Sequence, residues 1–101
     1  MIPLSPETTV RLDALFTGEE KELARLLIEQ ECADNLPLWK PPTERGLERI
    51  RFAVLKLSAG DLAQLELWIN DAKRDWRDTL VSAGFAHDPL SHNHWRPGTK
   101  S

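Results

Sequence analysis

The chain has 101 residues, 41 % of them hydrophobic and 29 % charged, with four Trp, three Phe, no Tyr and one Cys. That length and composition predict one globular domain able to bury a core without metals or disulfides, and exclude disorder over the whole chain. The net charge of −3 is uneven: residues 1–38 carry three basic against eight acidic side chains and residues 39–101 carry ten against eight, which is not the footprint of a nucleic-acid binder.

Ser5-Pro6 predicts a helix start, with Ser as N-cap, Pro at the first helical position and Glu7 in a first turn where the helix dipole favours an anion. Leu12, Leu15 and Phe16 then form one face of a short helix over about residues 6–16. Thr17-Gly18-Glu19-Glu20 has the T-x-x-E pattern of a capping box and predicts a second helix over about 18–34. Leu23, Leu26, Leu27 and Gln30 share a face there at i, i+3, i+4 and i+7, and Ala24 and Ile28 widen the apolar arc on one flank.

The three prolines of Asn35-Leu36-Pro37-Leu38-Trp39-Lys40-Pro41-Pro42 stop helix formation and make this stretch a connection. A third helix, over about 44–57, is apolar on two sides: Leu47, Ile50, Val54 and Leu57 on one, Phe52 and Leu55 on the other. That pattern predicts a central helix touching several neighbours. Ser58 opens S-x-x-D, a variant capping box ending at Asp61, and predicts a fourth helix over about 59–83. Its apolar run is Leu62, Leu65, Trp68, Ile69, Ala72, Trp76, Leu80 and Ala83, and both tryptophans are expected in the core. Gly84 at C′, Phe85 at C″ and Leu80 at C3 match a Schellman stop.

No segment alternates as a strand, no Asn-Gly or Asp-Gly turn occurs and no internal repeat is present. The expected fold is therefore all-α: a compact four-helix, bundle-like domain over residues 1–86, with an antiparallel hairpin of helices 3 and 4. Residues 87–101 are expected to be an irregular polar tail, with Leu90 and Trp95 folding back on the bundle.

Cys32 is alone, so neither an intrachain disulfide nor a paired-Cys zinc site is expected. The first residues, Met1-Ile2-Pro3-Leu4-Ser5-Pro6, lack the basic start and long apolar stretch of a secretory signal. No run approaches the roughly 20 apolar residues that span a bilayer. A reducing, cytoplasmic location is the expectation.

Chemistry has few places to sit. His87, Asp88, His92 and His94 are metal-ligand types, and His92 and His94 would project to one side of an extended segment. A supported second shell is missing from that reading. Asp71, Asp75 and Asp78 form an i, i+4, i+7 stripe that reads as surface ion pairs, or as a carboxylate cluster if enclosed. Cys32 lacks a neighbouring base and reads as a packed thiol. No nucleophile elbow, phosphate loop, zincin motif or dinucleotide fingerprint occurs, so no catalytic residue and no cofactor is assigned. The Ser58-Ala59-Gly60-Asp61 turn suits a helix-turn-helix, but the helix that would read bases opens with Asp61 and Glu66, which would face phosphates.

The stretches Glu48-Arg49-Ile50-Arg51-Phe52-Ala53-Val54-Leu55-Lys56-Leu57-Ser58-Ala59-Gly60-Asp61-Leu62 and Asp75-Trp76-Arg77-Asp78-Thr79-Leu80-Val81-Ser82-Ala83-Gly84-Phe85 resemble segments of a group of short uncharacterised bacterial proteins. The resemblance spans about residues 44–86, implies a bacterial, cytoplasmic origin and transfers no functional residue. The leading expectation is a non-catalytic domain that contacts another protein or its own copy. Trp39 either plugs the end of the bundle or joins Leu36 and Leu38 in an exposed apolar knob, rimmed by Arg45 and Arg49. The alternatives are a metal-binding protein using the tail histidines, and a DNA-associated regulator.

Overall fold

The computed structural model describes residues 2–32, 44–86 and 91–97. Four helices, α1 (Pro6–Leu15), α2 (Gly18–Glu31), α3 (Glu44–Ser58) and α4 (Leu62–Ala83), are followed by a single 3-10 turn, Ser91–His94. No strand occurs among the described residues.

Local chemistry sets most of the ends. Ser5 caps α1 by accepting the Thr8 N–H at 3.2 Å, with Pro6 at the first helical position. Thr17 makes no side-chain cap bond, so the expected Thr17–Glu20 capping box does not form. α2 begins instead on the backbone bond from Lys21 N–H to Thr17 O, and it closes at Glu31 with Cys32 as C-cap. α3 ends one residue later than its pattern suggests, because Ala59 and Gly60 both take left-handed backbone, with φ of 51° and 83°.

Ser58 does not cap α4, as the S-x-x-D pattern had implied. Its hydroxyl donates to Leu55 O at 2.6 Å and accepts from Gly60 N–H at 3.3 Å, closing α3. Asp61 is the true N-cap, accepting the Gln64 N–H at 3.1 Å, so α4 starts at Leu62 rather than at residue 59. The far end follows the expected Schellman geometry: Gly84 stands at φ 80°, its N–H bonds Val81 O at 3.1 Å, and the Phe85 N–H bonds Leu80 O at 2.9 Å.

α4 is not the single rod its periodicity implied. Asp75 leaves the helical region, at φ −154° and ψ 93°, and its side chain accepts the Arg77 N–H at 3.2 Å, as the N-cap of a second helical arm. The buried Thr79 hydroxyl donates across the break to Asp71 at 2.9 Å. The bend is a reversal. A straight helix of 22 residues would be about 33 Å long. Yet Lys56 Nζ, on α3 just before α4 starts, donates to Ala83 O at α4's end, at 2.8 Å. Residues 62–74 therefore descend from the α3 turn, and residues 76–83 climb back beside α3.

Side-chain contacts set the remaining directions. Lys21 reaches Asp13 across the α1–α2 turn, so these helices are antiparallel. Thr8 bonds Glu48, Arg11 lies over Phe52, and Leu15 O approaches Gly60, so α1 and α3 run parallel. Lys73 pairs with Glu31, while Glu20 shares a recess with Leu62 and Glu66, so α2 runs parallel to the first arm of α4. The result is an up-down-up-down arrangement of four helices, with α4's second arm added beside α3.

The shared interior is lined by Leu12, Phe16, Ile28, Ile50, Leu55, Leu65 and Ile69, all buried. Phe52, on the opposite side of α3, is covered by the chain that follows α4: Trp95 lies with its ring centroid 6.2 Å away and His92 at 5.1 Å. α3 is thus apolar on two sides because helices cover one and the tail covers the other. Trp68 and Trp76, expected inside, are half-buried and pack on the core's edge.

Candidate functional site

Three arginines tie the chain together from within. Arg51, on α3 and 3 % exposed, donates to Cys32 O at 2.9 Å, Pro3 O at 3.0 Å and Ile2 O at 2.6 Å. Arg11, on α1 and 2 % exposed, donates to Glu7 O at 2.8 Å and Trp95 O at 3.1 Å, with its guanidinium carbon 4.0 Å from the Phe52 ring centre. Burial pulls both guanidiniums below their ordinary value. Arg49 donates to Phe85 O, and to Ala86 O at 3.0 Å, neutralising carbonyls at the C-terminal end of α4. Arg49 therefore faces α4 and the chain leaving it, rather than forming a free rim.

The N-terminal segment, α1, α3 and the 3-10 turn enclose a cleft of about 610 Å³, with Ser5, Thr8, Glu48, Arg51 and His92 in its wall. The polar groups of Ser5, Thr8, Glu48 and Arg51 are already engaged. The Ser5 hydroxyl donates to Glu48 while accepting the Thr8 N–H, and the Thr8 hydroxyl also points to Glu48. Arg51 is committed to three carbonyls. Glu48 also acts electrostatically on both buried guanidiniums. This arrangement clamps α1 to α3.

The other predicted groups separate. His92 is buried between Phe52 and Phe85, with ring centroids at 5.1 and 6.3 Å. His94 is exposed. The segment is a 3-10 turn rather than a strand, so residues two apart diverge, and the expected His92–His94 convergence does not form. His87 and Asp88 lie outside the described residues. Asp71 bonds Arg74 and Thr79, Asp75 caps the second arm, and Asp78 is exposed, so the expected acidic stripe is broken by the bend. Among the described residues no three His, Cys, Asp or Glu side chains converge as metal ligands. Cys32 is fully buried, and burial pushes its thiol up to about 12, the opposite of an activated nucleophile. Leu36, Leu38 and Trp39 lie outside the described residues, and of Arg45 only the backbone, in α3, is described.

One surface departs from its sequence pattern. On α2 the core takes Ala24 and Ile28, both fully buried, while Leu23 and Leu26 remain 53 % and 39 % exposed. Of the face expected to turn inward, Leu27 packs on the core, while Leu23 and Leu26 point outward. The reason is steric: Ala24 is small enough to let the backbone of α2 approach its neighbours, and Leu23 and Leu26 stand about 100° and 200° around the helix from it. Glu20 level with Leu62 and Glu31 level with Lys73 put Leu23 and Leu26 at the height of α4's Leu65 and Ile69. Between those two buried residues, Leu67 points outward, 56 % exposed. Leu23 and Leu26, three residues apart on α2, thus form an exposed apolar shoulder that periodicity had assigned to the core, and α4 separately exposes Leu67 at a similar height.

Set against protein-family models, curated proteins and solved structures, the chain matches none. It is an all-α protein of four helices, and among the described residues no helix is long and apolar enough to cross a membrane.

Proposed function

We propose that this chain is a non-catalytic helical domain that works by contacting another protein, and that the leucine shoulder of α2 is its contact surface. The observation that carries the proposal is the exposure of Leu23 and Leu26, three residues apart on α2. Single exposed leucines are ordinary, whereas neighbours on one helix face form the kind of patch that marks partner sites. The polar groups elsewhere support a contact role, since Arg11, Arg51, Ser5 and Glu48 are engaged in holding the fold.

A double variant, Leu23→Ser with Leu26→Ser, tests the proposal. Both positions are exposed, so thermal unfolding should stay within the ~0.5 kcal/mol typical of surface substitutions. Quantitative affinity capture from the native host's extract, and sedimentation velocity, should show that the variant loses the association made by the unaltered chain. An unchanged set of partners and an unchanged sedimentation profile would refute the shoulder as a contact surface.

A further inference from the structure

We propose that two copies of this chain exchange arms: α4 straightens at Asp75, and the chain beyond it docks on α1 and α3 of the other copy. The exchange is independent of the leucine shoulder. It starts from a mismatch between sequence and backbone. Sharp breaks in helices fall mostly at Pro or at Gly/Ser pairs. Residues 70–80 contain no Pro, Gly or Ser, yet Asp75 stands outside the helical region with helix on both sides.

The break leaves backbone N–H and C=O groups without their partners one turn away, and Asp75 answers one of them by capping the Arg77 N–H. A continuous helix would pair them all. Charge opposes that helix. Asp71, Asp75 and Asp78 would then stack at i, i+4 and i+7 on one face, where like charges repel. Closed and straight forms of α4 therefore differ locally by small opposing contributions centred on one residue.

The segment beyond Asp75 is fastened to α1 and α3. Lys56 donates to Ala83 O at 2.8 Å, and Arg49 to Ala86 O at 3.0 Å. Arg11 donates to Trp95 O at 3.1 Å, and the Trp95 ring lies against Phe52. Phe85 meets His92 and Trp95 at 6.3 and 6.4 Å between ring centroids, so the second arm and the 3-10 turn hold each other and can move as a unit. Straightening α4 in a lone chain would carry this unit away from α3 and uncover Phe52 and Phe85. A second copy offers the same docking groups, so exchange keeps these contacts and makes them between chains. The bond from Thr79 to Asp71, at 2.9 Å, is given up. Exchange is slow, because the whole unit must undock first.

The chain is warmed to its unfolding midpoint at millimolar concentration, cooled, and analysed by size-exclusion chromatography with light scattering. A dimer that reverts slowly on dilution is expected. Asp75→Ala removes the cap and the central charge, and should raise the association constant at least about tenfold; Asp75→Asn keeps a cap and should stay within about threefold. Spin labels on Ala63→Cys with Ser82→Cys, both exposed, read the shape of α4, while Cys32 is buried away from the reagent. Diluting labelled chain into unlabelled chain before the exchange isolates the distance within one chain. In the closed chain both positions lie near the end of α3, whereas in a continuous helix they stand about 28 Å apart. The dimer should show the longer distance and the monomer the shorter.

A chain that stays monomeric, a dimer that keeps the monomer's distance, or an association constant unmoved by Asp75→Ala overturns the exchange. So does a dimer that Leu23→Ser with Leu26→Ser abolishes, since that contact would belong to the shoulder. If the straightened dimer forms while the leucine variant loses no partner in extract, the exchange stands and the shoulder reading fails.

Discussion

Cys32 shows how far burial can reverse a residue's usual chemistry. Its thiol is held protonated to about 12, mainly by burial, against an ordinary value of 9.0. The unfolded chain would release that proton first, so the stabilising contribution is complete below about pH 9 and is lost as pH rises toward 12. Between about pH 8 and about pH 10 the stability advantage of the unaltered chain over Cys32→Ala should shrink by roughly 1 kcal/mol in urea unfolding. A constant difference across that range would contradict a buried neutral thiol. The arginines make the same point from the other side. Arg11, Arg49 and Arg51 each donate to backbone carbonyls.

Helix ends in this chain depend on a few backbone positions. Gly60 and Gly84 both have positive φ, of 83° and 80°, but their surroundings differ. A Cβ on Gly60 would lie 2.9 Å from Leu15 O, where α1 meets the α3–α4 turn, whereas one on Gly84 would meet only Lys56 Nζ at 3.8 Å. Gly84→Ala should therefore cost about 1 kcal/mol, the conformational term alone. Gly60→Ala adds a collision with fixed backbone and should cost roughly 2–4 kcal/mol. Chemical denaturation of the two variants checks the order, and equal losses would show that α1 does not constrain the turn. Most of the elements were legible at this scale, because Ser5-Pro6 and Gly84-Phe85 act through local sterics and hydrogen bonding. The reversal at Asp75 was not, because its Asp-Trp-Arg surroundings are ordinary helix formers and the bend is held by distant contacts such as Lys56 to Ala83.

At the level of the whole molecule, the tail completes the fold. Trp95 and His92 cover Phe52 and Phe85, while the carbonyls of Asn93 and Trp95 accept from Arg11. Ending the chain after Ala86 would expose two phenylalanines and take away acceptors from a buried cation. That should cost roughly 2–4 kcal/mol, and about 10–20 °C in Tm for a domain of this size. Calorimetry on the shortened chain checks it; an unchanged Tm would mean that the tail is a passive appendage.

Hydrophobic spacing and punctuation along the chain were enough to establish four helices, most of their limits and the all-α class, because those depend on neighbours within a few residues. Two features required the assembled bundle: which arc of α2 faces inward, and where α4 turns back. A helix with leucines on one arc and Ala24 with Ile28 on the next can bury either in isolation, and close approach across the small Ala24 selects the second. The exposure of Leu23 and Leu26 follows from that packing choice, which no local pattern encodes.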